Sequence, residues 1–241
     1  NPVLHSVRGA KSRMLAGITP DGNVVLKTYR FDNGKTVIQF KAPGSLNKPP
    51  APREWGESGA KPGQFNGDPR VWVGSLNRII YAADNTRLQL FDSNGKISGI
   101  WQTELAKDSM SGQPLTGPDY NVCHLAEHPN GFVYYGYRKD VYNLHALDGL
   151  GIGHGSVKIP AEIDGTENCQ GSLEVDKNGN FYYGLGNSIH VFDQKGNKLR
   201  GTTLQASDNI VDLEFSRDGN LLVLTGGKWG KIIEITQSGV S

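Results

Sequence analysis

Residues 55–101 read WGESGAKPGQFNGDPRVWVGSLNRIIYAADNTRLQLFDSNGKISGIW, and this stretch decides the fold. A glycine-rich lead-in precedes the apolar run Val71–Val73, a turn at Ser75-Leu76-Asn77 and a second run from Ile79 to Ala83. After Asp84-Asn85 come an alternating run through Leu88, Leu90 and Phe91, the turn Asp92-Ser93-Asn94-Gly95, and a short run ending at Trp101. Short β-forming runs joined by tight polar turns build one antiparallel sheet of four strands. Helical periodicity nowhere survives beyond about ten residues. The best helical candidate, Gln102 to Met110, reads as a connection.

The unit recurs. Its anchor is a turn glycine placed between two strands: Gly22 in Thr19-Pro-Asp-Gly-Asn, Gly131 in His128-Pro-Asn-Gly-Phe, Gly179 in Asp176-Lys-Asn-Gly-Asn and Gly219 in Ser216-Arg-Asp-Gly-Asn. Asn77 holds the same place in residues 55–101, because Asn also tolerates a positive φ. The anchors lie 40 to 55 residues apart and mark five units. A single sheet of this size leaves both faces uncovered, and repetition around an axis covers them. The expected fold is therefore an all-β β-propeller of four-stranded antiparallel blades, forming one domain over residues 1–241. Its blades fall at about 12–60, 65–115, 120–160, 167–205 and 208–241 plus 1–10. The last unit is one strand short, and Val3–Val7 supplies that strand, so the closing blade is shared between the two termini. Five blades is the preferred count; a six-bladed ring, or a fragment of a six- or seven-bladed one, is the alternative.

Within the opening stretch, Trp55-Gly, Pro62-Gly-Gln-Phe-Asn66, Ile80-Tyr-Ala-Ala-Asp84, Arg87-Leu-Gln-Leu-Phe-Asp92 and Gly95 closely resemble an NHL repeat. The resemblance is partial in Glu167 to Gly201 and in Asp208 to Gly239; in the first and third units the lead-in is missing. It implies a binding platform, since NHL-type propellers mostly bind proteins or RNA. A minority of related six-bladed rings are metal-dependent hydrolases or lyases with ligands in the central channel. Five blades depart from the usual six of the family.

Composition narrows the partners. Lys and Arg number 25 against 24 Asp and Glu, without a block of one sign, so no electrostatic footprint for nucleic acid is present. No apolar run is long enough to span a bilayer. The chain starts at Asn1 and reads as processed or as an excised part of something longer. A soluble, monomeric domain is expected, compatible with a secreted, extracellular or periplasmic location. The two cysteines, Cys123 and Cys169, fall in neighbouring inner strands and are either bridged or buried as thiols.

Aligning units on the anchor places acids and amides at the same channel-mouth position of four units. The residues are Asp68, Asp119 with Asn121, Glu167 with Asn168, and Asp208 with Asn209. Converging carboxylate and amide oxygens suit a hard divalent cation such as calcium, with Asp119, Glu167, Asn168 and Asp208 as the ligand set. Asp and Asn at strand starts equally make Asx turns that cap loops. His124 stands beside Cys123, and adjacent strand residues point to opposite faces, so the pair does not share one zinc ion. His128 is expected to be solvated in its turn. Glu174, Asp212 and Glu214 on inner strands call for a partner such as Arg13 or Arg70, or for a watery channel.

Gly149-Leu-Gly-Ile-Gly-His-Gly155 mimics a phosphate loop without the helix or the Lys-Ser/Thr that such a loop needs, and is read as a blade-to-blade connection. Tyr134, Tyr135, Tyr137, Tyr142, Tyr182 and Tyr183 crowd the third and fourth units; adjacent ones face opposite sides, so some pack between blades, while Trp55 and Trp229 sit beside glycines in loops and suit contact with a partner. The expected function is a non-catalytic platform for a protein or peptide, built from one ring face and the long loops. Its binding candidates are Trp55, Asp68, Asp119, Asn121, His124, Asn168, Asn209 and Trp229. A metal-dependent hydrolase or lyase, and a lectin taking a glycan or another small molecule, are the alternatives.

Overall fold

The computed structural model describes residues 10–18, 24–30, 35–41, 53–65, 67–74, 76, 79–84, 87–92, 94–102, 122–137, 140–160, 163, 171–205, 209–216, 218–226 and 230–236. All regular structure among them is β. The chain divides into two compact units, Asn1–Pro118 and Asp119–Ser241.

The first unit holds two four-stranded antiparallel sheets. One runs in the order β1 (Ala10–Ile18), β2 (Val24–Arg30), β3 (Lys35–Lys41), β4 (Arg53–Trp55). A short parallel pair, β5 (Glu57–Ser58) and β6 (Gln64–Phe65), leads into the second sheet of β7 (Arg70–Val73), β8 (Ile80–Asp84), β9 (Arg87–Phe91) and β10 (Ile97–Gln102). Every residue of β8 and β9 is buried, because both faces of this sheet are covered. Val25 and Ile38 of the first sheet form one apolar cluster with Phe65, Ile80, Ala82 and Phe91. Two flat sheets thereby complete each other's cores.

The lead-in loop is locked onto β9 by two polar side chains. Arg87 Nη1 donates to the Ala60 carbonyl at 2.5 Å, Nη2 donates to the Gln64 carbonyl at 2.6 Å, and Nε donates to Asp84 Oδ2 at 3.2 Å. Gln89 Nε2 donates to the same Gln64 carbonyl at 2.7 Å, while the Gly63 N–H donates to Gln89 Oε1 at 2.8 Å. Arg87, Gln89 and Asp84 are all buried. A loop with few side chains of its own is thus given a fixed path by a neighbouring strand. Two of the segments that carry the NHL resemblance, 62–66 and 87–92, contribute Gly63 and Gln64 on one side of this clamp and Arg87 and Gln89 on the other.

The second unit holds the third sheet, β11 (Val122–Glu127), β12 (Val133–Tyr137), β13 (Asp140–Leu147), β14 (Gly153–Lys158), and the fourth, β15 (Ser172–Val175), β16 (Phe181–Leu185), β17 (Ser188–Phe192), β18 (Lys198–Thr203). The fifth has three described strands, β19 (Ile210–Phe215), β20 (Leu221–Thr225) and β21 (Ile232–Ile235). One cluster joins Tyr134, Leu144 and Val157 of the third sheet to Leu173, Phe181, Tyr183 and Phe192 of the fourth. A second joins Tyr182, Ile189 and Val191 to Leu213, Leu221 and Val223 of the fifth.

Among the described residues, six turns share one construction principle. Asp92, Asp148, Asp176 and Asp193 each accept, through Oδ1, the N–H groups two and four residues on, at 2.8–3.0 Å. The glycine three residues on takes a positive φ between 76° and 82° and closes the turn onto the carbonyl of the same Asp. Ser216 and His128 occupy the Asp position in the remaining two. The side chain replaces ladder partners that the reversing backbone has lost. These hydrogen bonds hold Asp148 and Asp193 below the usual carboxylate range; the chief donors are the Ile152 N–H for Asp148 and the Asn197 side chain for Asp193. Replacing Asp176 with Ala removes both N–H contacts and that of Asn180 Nδ2, and is expected to cost about 1–2 kcal/mol in thermal or urea unfolding. Asp176→Asn keeps an acceptor and should stay within about 0.5 kcal/mol of the native chain; equal losses in the two variants would discount the cap.

Two expectations are corrected here. Gly149–Gly155 does not connect blades: it forms the β13–β14 hairpin turn and the first residues of β14, with Leu147 paired to Gly153 and His145 to Ser156. The Asp148 cap and Gly151 make the reversal tight, and glycines still supply the backbone groups a ladder needs. His128 is 2% exposed rather than solvated. The Val3–Val7 strand, Gly22, Asn77 and most of the Gln102–Met110 connection lie outside the described residues.

Candidate functional site

The first strands of the third, fourth and fifth sheets, β11, β15 and β19, lie side by side and carry His124, Ser172, Glu174, Asp212 and Glu214. Cys123 of β11 is disulfide-bonded, so the thiol alternative does not apply to it. Cys169, the other cysteine of the sequence, lies outside the described residues. His124, buried in β11, shares a hydrogen bond with the Tyr183 hydroxyl through Nε2 at 2.9 Å, the rings meeting edge to face. Burial raises the Tyr183 phenol well above its ordinary pKa, so it stays a neutral hydrogen-bonding group. This pair ties the third sheet to the fourth.

On β15, Ser172 Oγ–H donates to Asp212 Oδ1 of β19 at 2.8 Å, and the Leu213 N–H donates to Ser172 Oγ at 3.1 Å. Glu174 and Glu214 follow two residues further along the same strands. Burial, then the charges of Glu214 and Asp212, raise Glu174 well above the ordinary carboxylate range. Burial followed by the Asp212 charge pushes Glu214 up to about 7. Asp212 is also raised by burial, although the Ser172 hydroxyl opposes the shift. Glu174 is half-buried, but Asp212 and Glu214 are exposed to water, which screens these effects on them. Among the described residues no group of three or more His, Cys, Asp or Glu is placed to hold a metal ion.

His128 lies at the turns of the third and fourth sheets. The Asn130 N–H donates to its Nδ1 at 3.0 Å, which puts the ring proton on Nε2; Nε2 then donates to the Gly179 carbonyl at 3.1 Å. Tyr134 and Phe181 flank the ring, at centroid distances of 5.2 and 5.6 Å. Here the ring takes the place of the capping Asp and reaches across to the next sheet.

Three of the other candidates lie among the described residues. Asp68 is exposed and pairs with Lys27 Nζ at 2.7 Å. Asn209 is exposed, and its carbonyl accepts the Gly226 N–H at 2.7 Å. Trp55 is half-buried rather than exposed, packing 5.8 Å from Phe91 and over Gly95, where a Cβ would come within 2.7 Å of the indole. Asp119, Asn121, Glu167, Asn168, Asp208 and Trp229 lie outside the described residues. Tyr134, Tyr135, Tyr182 and Tyr183 are all buried, as core residues of a layered sheet protein are.

One surface feature was not foreseen. The β13–β14 turn carries Leu150, 79% exposed, and Ile152, 55% exposed. Phe132 stacks on His154 beside them at 5.0 Å, and His154 Nε2 lies 2.8 Å from Asp148 Oδ2. The signal was Leu150 and Ile152 alternating with glycines that leave them uncovered.

No family model matches the chain. Among solved structures it is similar to virginiamycin B lyase from Staphylococcus aureus, at 12% identity and a TM-score of 0.56 over 97% of this chain and 72% of that one. A streptogramin B lyase aligns at 15% identity and TM-score 0.53, over 96% and 70% of the two chains. The WD40 β-propeller domain of Doa1 aligns at 15% and 0.51, over 92% and 63%. Lyases and a WD40 domain thus match alike, and what they share with this chain is the β-propeller type of sheet arrangement.

Proposed function

We propose that the chain is a non-catalytic platform for a protein or peptide partner, built as a five-bladed, NHL-type propeller whose last blade is completed by Val3–Val7. The observation that carries the binding reading is the β13–β14 turn. Leu150 and Ile152 stand out from a reversal held by the Asp148 cap and by the Asp148–His154 contact. Apolar side chains held in place before binding lose little freedom on contact, which favours association. The Cys123 disulfide supports an oxidising compartment.

The test is a double variant, Leu150→Asp with Ile152→Asp. Both side chains are already in water, so the melting temperature should move by less than about 2 °C. Partners crosslinked to the native chain in its source extract should drop at least about tenfold, the loss expected when apolar anchors are removed. Retention of the same partners would remove the turn from the interface. A tightly held stoichiometric divalent ion, with an activity lost on chelation, would instead favour the hydrolase or lyase reading, with Asp119, Glu167, Asn168 and Asp208 as ligands.

A further inference from the structure

The outer strand of the fourth sheet, β18, is open along one side. Among the described residues it pairs with β17 alone, and all of it except Thr202 is exposed. Alternate residues of a strand turn their N–H and C=O groups to opposite edges, so half of those in β18 face away from β17. Phe192 pairs with Lys198 and Val191 with Arg200, which makes Leu199 the extra residue of a bulge; it is 51% exposed.

Charge along this edge is one-sided. From Asp176 to Thr203 the Lys and Arg residues are Lys177, Lys195, Lys198 and Arg200, and all four are exposed. The acids of the same stretch, Asp176 and Asp193, are half-buried, and both oxygens of each accept hydrogen bonds inside their own turns. Lys158, exposed at the end of β14, joins the basic residues: Gly196 of the β17–β18 turn is packed so closely against its carbonyl that no Cβ would fit. Arg200 is held in position, because Nη2 donates to the Tyr182 hydroxyl at 2.6 Å and the guanidinium lies 5.8 Å from the centre of that ring. A cation fixed in advance loses little freedom on contact.

We propose that the outer edge of β18 takes an extended acidic peptide as a fifth strand of the fourth sheet. The peptide backbone bonds to β18, its carboxylates meet Lys195, Lys198 and Arg200, and an apolar side chain rests against Leu199. This rests on the platform reading of the chain but not on the turn that carries Leu150 and Ile152, which belongs to another sheet. Two features select the occupant. Main-chain pairing along an exposed edge supplies affinity, and the cations choose the sign of the partner's charge. The same cations repel a second copy of this edge, as charged outer strands do.

The experiment is fluorescence anisotropy on the full chain with a labelled peptide of alternating Glu and Val. Binding should weaken several-fold as salt rises from about 0.05 to 0.5 M. Lys195→Glu with Lys198→Glu reverses two exposed charges and should weaken it roughly tenfold, with the melting temperature within about 2 °C of native. Pro in place of the central Val of the peptide removes a ladder N–H and should also weaken binding. Leu150→Asp with Ile152→Asp should bind this peptide as the native chain does, which separates a failure of that turn from a failure of this edge. No binding of the Glu–Val peptide, or equal binding of its Lys–Val counterpart, would overturn the proposal. Unchanged affinity in the Lys195, Lys198 variant would do the same, as would tighter binding of oligothymidylate, a polyanion without a strand-forming backbone.

Discussion

Arg87→Ala is expected to destabilise the unit of residues 1–118 by about 3–5 kcal/mol, the usual cost of removing one member of a buried ion pair. The guanidinium is buried and serves four acceptors at once: Asp84 Oδ2 and the carbonyls of Ala60, Gln64 and Gly59. Alanine takes away all four contacts, strips Asp84 of this counter-charge and releases the lead-in loop from β9. Phe65, at the end of that loop, is fully buried beside Phe91 at 6.2 Å, so slack in the loop reaches the core. At about 2–4 °C per kcal/mol the melting point should fall by roughly 10 °C. Arg87→Lys keeps the charge but cannot fork between the loop and Asp84, and should fall between native and Ala. A melting point for Arg87→Ala within about 1 °C of native would show that the clamp adds nothing.

The second large effect is expected at His128. Phe in its place keeps a ring between Tyr134 and Phe181 but removes both hydrogen bonds, leaving the Asn130 N–H without its cap and the Gly179 carbonyl without this donor. Asn130 is exposed and its N–H can turn to water, but Gly179 is buried, which puts the loss at about 1–3 kcal/mol, read by urea unfolding. His128→Asp restores the cap used in the sister turns, but it cannot reach Gly179 and places a charge at a site 2% exposed; it should be at least as harmful. Recovery of native stability by His128→Asp would mean that capping is the whole of its role. Gly179 is bound to the same contact, since a Cβ there would sit 2.7 Å from Nε2 of the ring, at a φ of 82° that already favours glycine.

The sheet units were readable because turn chemistry and strand alternation are local. Gly131, Gly179 and Gly219 fall where the repeat puts them, each closing a first hairpin with positive φ. The β14 strand was not readable, since Gly153, His154 and Gly155 have no β-forming preference and pair only because Asn143–Leu147 offers them a ladder. His128 was placed in a turn and from there assumed wet. Its burial depends on Gly179, 51 residues away, and no local pattern records that contact. The same holds for Glu174 and Glu214: each strand shows a carboxylate where core is expected, but only the approach of β15 to β19 brings the charge of one within reach of the other. Asp68 was read as a channel-mouth acid, and its pairing with Lys27, which spans 41 residues, left no local mark.

Tyr182 and Tyr183 are neighbours in β16 that point into different apolar clusters, Tyr183 toward the third sheet and Tyr182 toward the fifth. The fourth sheet therefore draws on two interfaces, whereas the third and fifth each draw on one of them. Disturbing either ring is therefore felt in a different neighbouring sheet: Tyr183→Ala should loosen the amides of the third sheet and Tyr182→Ala those of the fifth, from two adjacent positions of one strand.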